Sequence, residues 1–183
     1  IPTPGAANRR APLGNPSDIV LNEWLSSPRV HLGGDFIELY NPGIHPVALA
    51  GLALSDRPSS EPRKQLIPAL SYVGPAGHTT FYGEHSGSPD GLEFGLSSFQ
   101  GWVGLLGPDG TVIDQVAYQS QGADSSRGRI PDGSPTFGDL PVPTPDRSNT
   151  TPAAELAESL HLLDSLRITE IHYNPTGGSD AEY

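Results

Sequence analysis

Short stretches in which apolar and polar residues alternate, each followed by Pro, Gly, Asn or Asp, recur through the middle of this chain. The clearest is DFIELYNP at 35–42, where alternation would place Ile37 and Leu39 on one face of a strand and Glu38 on the other. The Asn-Pro-Gly that follows is typical of a turn. About nine such stretches within 18–149 predict an all-β fold, an antiparallel β-sandwich.

The segment 19–25 predicts the first strand of this region. Under strict alternation, Ile19, Leu21 and Leu25 share one face with Glu23. A carboxylate among apolar side chains is costly to bury without hydrogen-bond or charge partners. Glu23 is therefore the first residue whose chemistry requires an explanation.

Further strands follow along the chain. Residues 47–54 predict a strand with a bend at a glycine, and Pro68 confines residues 66–73 to a sheet edge or an irregular connection. Two apolar runs, 102–106 and 111–118, flank Gly-Pro-Asp-Gly, which predicts a hairpin because proline presets φ and glycine accepts a positive φ. Residues 126–130 predict the last strand.

Segments of different composition flank the β region. Residues 1–17 are rich in Pro, Gly, Ala and Asn, and we predict that they form a linker and the end of a preceding module. Residues 150–165 predict a second linker. Within 153–166, leucines spaced i, i+4 and i+7 predict a short connector helix near the C-terminus, the one helix expected in the chain.

The chain contains an internal repeat. Residues 3–8, TPGAAN, share Thr, Pro and Asn with TPDRSN at 144–149, at an offset of 141 residues. Residues 19–36 match residues 166–183 at an offset of 147 residues. The repeat predicts the end of one module, a whole module and the opening of a third.

The second alignment pairs Glu23 with Glu170 and makes 166–183 a truncated first strand of a following module. A strand without its partner leaves hydrogen-bonding groups open. We therefore expect residues 166–183 to be held by added strand pairing, with possible strand exchange. Because the chain begins Ile-Pro-Thr-Pro and contains no methionine, we expect it to be an excerpt from a longer protein.

In their order and spacing, the motifs of residues 18–149 resemble the bacterial form of the lamin tail domain family. The shared pieces are an Asn-Glu pair at 22–23, FIELYNP, Val-x-Leu-x-Gly ending in Leu-Ser-Asp over 47–56, the Gly-Pro-Asp-Gly hairpin with Val-Ile-Asp at 112–114, Arg-Gly-Arg-Ile-Pro-Asp-Gly at 127–133, and Thr-Pro-x-x-x-Asn at 144–149. Leu52 and Phe137 depart from it, since they stand where members often carry tryptophan.

The resemblance implies an immunoglobulin-like β-sandwich without catalytic machinery, an accessory or interaction module repeated in large secreted or cell-surface bacterial proteins. The expected location is extracellular or in the cell envelope. The expected partners are neighbouring modules of the same chain, another protein or an envelope glycan. The alternative is a calcium-dependent accessory domain tethered to a hydrolase or nuclease elsewhere in the parent protein.

Charge and composition narrow the classes of partner. The formal net charge of −11 would repel a phosphate backbone, which disfavours nucleic acid even though eukaryotic lamin tails suggest DNA binding by analogy. The absence of cysteine excludes disulfides, thiolate metal sites and cysteine nucleophiles. No apolar run approaches the length of a membrane span.

Two interpretations of the inward acids are open. In the first, Glu23, Glu38, Asp35 and Asp114 converge as oxygen ligands of a calcium ion, although no Asp-x-Asp-x-Asp-Gly loop supports this. In the second, which we favour, the buried carboxylate accepts backbone N–H bonds from a loop. No other cofactor is expected.

Other chemistry is weakly supported. The six histidines form no His-x-His or His-Glu-x-x-His pattern, and no Gly-x-Ser-x-Gly or phosphate-binding glycine motif occurs. Four aromatic residues could either stack on sugars or pack in the core, and core packing is the favoured interpretation: Trp24, Tyr40, Tyr82 and Trp102.

Overall fold

The structure is a computed structural model, and it describes residues 12–29, 34–85, 87–152 and 154–156. The chain divides into two compact units, Ile1–Thr151 and Pro152–Tyr183. The described part of the first unit is built from short strands and turns, with 3-10 turns at Pro16–Asp18 and Gly83–His85. In the second unit, residues 154–156 are helical.

Eleven strands occur in the described residues: β1 (Val20–Leu25), β2 (Phe36–Tyr40), β3 (Val47–Ala48), β4 (Ala53–Ser55), β5 (Gln65–Leu66), β6 (Tyr72–Val73), β7 (His78–Tyr82), β8 (Gln100–Leu106), β9 (Val112–Gln119), β10 (Ser126–Arg129) and β11 (Phe137–Leu140). They form a five-stranded sheet in the order β11-β10-β1-β2-β7, a four-stranded sheet in the order β5-β4-β8-β9, and the pair β3-β6. Every strand pairing is antiparallel. The predicted all-β character is confirmed.

The two larger sheets contribute to one hydrophobic core, as in a β-sandwich. Leu21, Trp24 and Ile37 reach it from the five-stranded sheet, and Val103 and Leu105 reach it from the four-stranded sheet. All five are at most 1% exposed, so the space between the sheets is well filled. No helix in the described segments is long and apolar enough to cross a membrane.

A β-bulge in β1 corrects the predicted alternation. The register shifts between Leu21 and Glu23, so Leu21 and Trp24 both belong to the inter-sheet core. Since consecutive strand residues point to opposite faces, Glu23 lies on the other face of the sheet. The prediction that Glu23 shares a face with Leu21 is therefore wrong, because a bulge adds one residue to the count.

Most strand predictions are confirmed in outline. The hairpin is β8–β9, with its turn at residues 107–110. The predicted strand 47–54 is divided into β3 and β4 by a turn in which Gly51 has φ +83°, a conformation that favours glycine. Strand β11 (Phe137–Leu140) was not predicted, because the surrounding prolines masked its short pattern. The predicted strand 166–183 and most of the predicted helix 153–166 lie outside the described residues.

Candidate functional site

Glu23 and Glu38 lie side by side on the face of the five-stranded sheet that points away from the inter-sheet core. They are direct partners in the β1–β2 pairing, and both side chains are fully buried. Two adjacent carboxyl groups removed from water disfavour a doubly ionised state. What covers them therefore determines whether they form a ligand site or a structural cluster.

The cover is a segment that we call the strap, residues 144–149, whose backbone donates to both acids. The Thr144 N–H donates to Glu23 Oε1 at 2.9 Å, and the Asp146 N–H donates to Glu38 Oε2 at 2.6 Å. The Ser126 hydroxyl also donates to Glu23 Oε1. This is the favoured interpretation from the sequence, a buried carboxyl group satisfied by backbone N–H groups of a loop.

Asn149 fixes the hydrogen-bond directions at the end of the strap. Its Nδ2 donates to the carbonyl oxygens of Asn22 at 3.2 Å and Arg129 at 2.9 Å, so its Oδ1 must be the atom that faces Thr144 Oγ1, 2.8 Å away. Thr144 Oγ1 also lies 2.6 Å from Glu23 Oε2. The Thr144 hydroxyl thus lies between two further oxygens, Glu23 Oε2 and Asn149 Oδ1.

A threonine hydroxyl carries one proton, and an amide oxygen carries none. The single Thr144 proton cannot serve both Asn149 Oδ1 and Glu23 Oε2, and both contacts are satisfied at once when the Glu23 carboxyl group carries a proton at Oε2. Burial raises the pKa of Glu23, although hydrogen bonds from Ser126 and Thr144 act in the opposite direction. Burial and then repulsion from Glu23 raise the pKa of Glu38 to about 9. The pKa of each acid is raised, and the hydrogen-bond geometry favours Glu23 Oε2 as the position of the proton.

Asn22 and Asp132 extend the cluster toward solvent. Asn22 Nδ2 donates to Glu38 Oε1 at 2.9 Å and to Asp132 Oδ1 at 3.0 Å, and Asn22 Oδ1 accepts from the Gly133 N–H. Burial alone would raise the pKa of Asp132, but hydrogen bonds from the Asn149 N–H and from side chains, together with nearby His78, hold it below its usual value. Asp132 thus serves as the ionised member of the cluster.

The four predicted calcium ligands do not converge. Asp35 Oδ2 accepts from the Leu96 N–H at 2.5 Å, while Asp114 Oδ2 accepts from the Leu21 N–H and from Arg129. Only Glu23 and Glu38 come together, and their oxygens are taken by the strap and by Asn22. Within the described segments, no group of three or more His, Asp or Glu side chains could hold a metal ion.

Arg129 was not singled out from the sequence, yet it joins three parts of the fold. Its Nε donates to the Leu21 carbonyl oxygen, its Nη1 to the Ser134 carbonyl oxygen and its Nη2 to Asp114 Oδ2, at 2.7–2.9 Å. The guanidinium also lies 4.5 Å from the ring centre of Phe137. These contacts make the Asp114–Arg129 pair a structural connection between β9 and β10.

The predicted aromatic residues separate into different environments. Trp24 is 1% exposed and packs against Tyr118 and Phe137, which confirms core packing for this residue. Tyr82 donates to Asp146 Oδ2 of the strap at 2.8 Å. Trp102, on β8, is not a core residue, since it is 47% exposed. The four do not form one stacking surface.

Trp102 stands in a row of uncharged side chains on the outer face of β8–β9. Cross-strand pairing sets Gln100 opposite Gln119 and Trp102 opposite Ala117. Gln115 lies two residues from Ala117 on the same face. We call these five residues the Trp102 face; Gln115, Ala117 and Gln119 are all exposed.

Two adjoining depressions follow this face. The first, of about 310 Å³, is lined by Gln100, Trp102 and residues 117–119. The second, of about 210 Å³, shares residues 117–119 and ends at Arg127 and Asp139, which form a salt bridge. Together they make a polar groove along β9, an edge strand of its sheet, in which Trp102 is the exposed aromatic side chain and Tyr118 is largely buried.

No family model matches this sequence, and comparisons with curated proteins and with solved structures give no match. The resemblance to the lamin tail domain family therefore rests on the motifs alone and remains a prediction. The same holds for the domain boundaries that the internal repeat predicts.

Proposed function

We propose that residues 18–149 form a non-catalytic interaction module, with an immunoglobulin-like arrangement of strands, in a large secreted or cell-surface bacterial protein. The observation that carries the proposal is the Trp102 face, in which a tryptophan that is 47% exposed stands among carboxamide side chains. Tryptophan is enriched among the residues that dominate binding energies.

The buried polar residues support a binding module over an enzyme. Glu23, Glu38, Thr144 and Asn149 are used to close the fold, and each is at most 4% exposed. Side chains with internal partners on every polar atom hold a scaffold together and are inaccessible to a substrate. The interaction chemistry is left to exposed positions, of which the Trp102 face is the most distinctive.

The internal repeat supports a tandem array. Its shared positions include Glu23 with Glu170, Thr144 with Thr3 and Asn149 with Asn8. In the structure, one series of side-chain hydrogen bonds connects Glu23 to Thr144 and Thr144 to Asn149. A repeat that retains the three members of a closure network is what recurrence of one module predicts.

The proposal is tested by binding and by turnover together. Residues 1–183 and the Trp102→Ala variant are sedimented with fractionated bacterial envelope, separated into cell-wall polymer and surface-protein fractions. We expect retention of the wild type on at least one fraction and reduced retention of the variant. Hydrolase and nuclease screens should show no turnover. Equal retention of the two proteins, or turnover abolished by a substitution within 18–149, would contradict the proposal.

A further inference from the structure

We propose that the Trp102 face binds a neutral oligosaccharide, with the indole of Trp102 as the stacking surface and Gln100, Gln115 and Gln119 as the polar contacts. This inference rests on the proposed function and names its ligand class. It is carried by the placement of the indole, the chemistry around it and the absence of charge among those five residues.

The Trp102 side chain is only half covered by its neighbours, since the residue is 47% exposed. Its cross-strand partner is Ala117, which is too small to shield an aromatic ring. Along β8, the next residue on the same face is Gly104, where Pro58 occupies the space, since a Cβ at Gly104 would lie 2.7 Å from Pro58 Cβ. One side of the ring system therefore faces the open depression.

An exposed aromatic face suits the C–H face of a pyranose ring. The π system is electron-rich on its face, so it attracts the weakly positive C–H groups of a sugar, and both surfaces are apolar. The rim of a pyranose carries hydroxyl groups that donate and accept at once. A carboxamide does the same through its N–H and C=O groups, which a carboxylate or an ammonium cannot do.

The positions of the glutamines match this requirement. Gln115 and Gln119 stand diagonally on either side of the indole across the strand pair, within reach of a long side chain. From Gln115 to Gln119 the row extends about 14 Å along β9, at about 3.4 Å per residue. This length suits several linked sugar rings in preference to one.

Charge distinguishes the ligand class. The chain carries a formal net charge of −11, but none of the five residues of the Trp102 face is ionisable. The charged side chains nearby are paired: Asp114 of β9 with Arg129 at 2.9 Å, and Arg127 with Asp139 at the end of the groove. A neutral ligand avoids both repulsion from the acidic protein and the cost of desolvating an unpaired charge.

An oligosaccharide fits better than a protein partner. Protein interfaces usually bury a central group of several apolar side chains. On the Trp102 face the one apolar side chain of any size is the tryptophan, framed by amides, with Phe99, 79% exposed, just before the row. The surface thus offers one strong stacking contact and many weak hydrogen bonds.

The test uses residues 1–183 in native gels that contain hydroxyethylcellulose, glucomannan or dextran, with polygalacturonate as an anionic comparison. We expect at least one neutral polymer to retard the protein, with little change between 0.05 and 0.5 M NaCl because no ion pair contributes. Trp102→Ala should weaken binding at least about 30-fold, and each Gln→Ala change about 2- to 10-fold.

Tyr72→Ala is the matched control, since Tyr72 is 54% exposed but belongs to the separate β3–β6 pair. Its affinity should equal that of the wild type. Fluorescence gives a second readout: the chain has two tryptophans, and Trp24 is buried, so a ligand on the indole should shift the emission of Trp102 to shorter wavelength. Trp102→Phe should lose this shift while keeping part of the affinity. Unchanged melting temperatures exclude unfolding as the cause.

Two results overturn the inference. One is that no neutral polymer retards the wild type, and the other is that Trp102→Ala binds as tightly as the wild type. If Trp102 instead proves necessary for capture of an extended peptide, or for a dimer in analytical ultracentrifugation, the ligand class is wrong while the interaction module stands. Loss of every Trp102-dependent interaction, on envelope fractions as well, removes both.

Discussion

Replacing Glu23 by glutamine tests the proton that the hydrogen-bond geometry assigns to Glu23 Oε2. In Glu23→Gln, the side-chain oxygen can still accept from Ser126 and from the Thr144 N–H. The new amide nitrogen would donate to Thr144 Oγ1, whose own proton goes to Asn149. Every hydrogen bond is retained, and no proton has to be taken from solvent.

The expected magnitude follows from linkage. A carboxyl group with a raised pKa in the folded state contributes stability that is complete below its unfolded pKa and is lost as pH rises toward the folded pKa. For Glu23 the loss of stability begins as the pH rises above the ordinary carboxyl pKa of 4.5, because burial raises the pKa of the folded state. At pH 7.5, three pH units above 4.5 at about 1.4 kcal/mol each give an upper limit of about 4 kcal/mol.

We therefore expect the wild type to lose stability between pH 5 and 8 and Glu23→Gln to lose much less. The two should be similar at pH 5, and the variant should be more stable at pH 8. The pKa values of three acids are lowered, so these acids are ionised in both states and add no pH dependence between pH 5 and 8: Asp90, Asp109 and Asp132. Burial raises the pKa of Asp35, and any loss of stability from this group is common to the wild type and the variant. The measurement is urea unfolding at pH 5.0, 6.5 and 8.0, followed by the fluorescence of buried Trp24.

Glu38→Gln is the contrasting variant. Both Glu38 oxygens accept from N–H donors, those of Asn22 and Asp146, so an amide nitrogen at either place would face another donor. We expect it to lose about 2–3 kcal/mol at pH 5, where the lost acceptor for an N–H donor is the main effect. Parallel pH profiles for the wild type and Glu23→Gln, or equal damage from both substitutions, would refute the assignment of the proton to Glu23.

Three further predictions concern the packing of the strap, the Arg129 connection and the cation hypothesis. Gly128→Ala should cost about 1–3 kcal/mol in thermal unfolding, because its Cβ would lie 2.4 Å from Asn149 Nδ2 and 2.7 Å from the Asn22 carbonyl oxygen. Gly74→Ala, with nothing within 4 Å, is the control, and equal melting temperatures would contradict the argument. Arg129→Lys should lower the free energy of urea unfolding by about 2–4 kcal/mol, because a single ammonium cannot make all three contacts of the guanidinium. The control, Arg127→Lys at a 40% exposed side chain, should be nearly neutral. An unchanged free energy of unfolding in Arg129→Lys would argue against the structural connection. Calcium or chelator should leave the melting temperature unchanged, and a calcium-dependent rise would revive the cation site.

Local pattern was enough to predict the strands that make up the scaffold. Alternation in residues 35–42 correctly separated Ile37 and Leu39, which face the core, from Glu38, which does not. The Pro-Asp-Gly turn fixed the β8–β9 hairpin, since turn geometry depends on a few adjacent residues. Arg129 could not be anticipated in the same way, because its partners lie 108, 15 and 5 residues away.

The sequence by itself determined that this is an all-β chain with a repeated set of Glu, Thr and Asn positions, because hydrophobic period, turn chemistry and repetition are properties of neighbouring residues. The tertiary structure alone decided what those positions do. A bulge at Asn22 turns Glu23 away from the core, and a strap 121 residues further along the chain buries it. The position of Trp102 opposite the small side chain of Ala117 is likewise set by strand register, which sequence spacing does not reveal. Burial and hydrogen bonding depend on contacts between distant segments, and those contacts exist only in the folded chain.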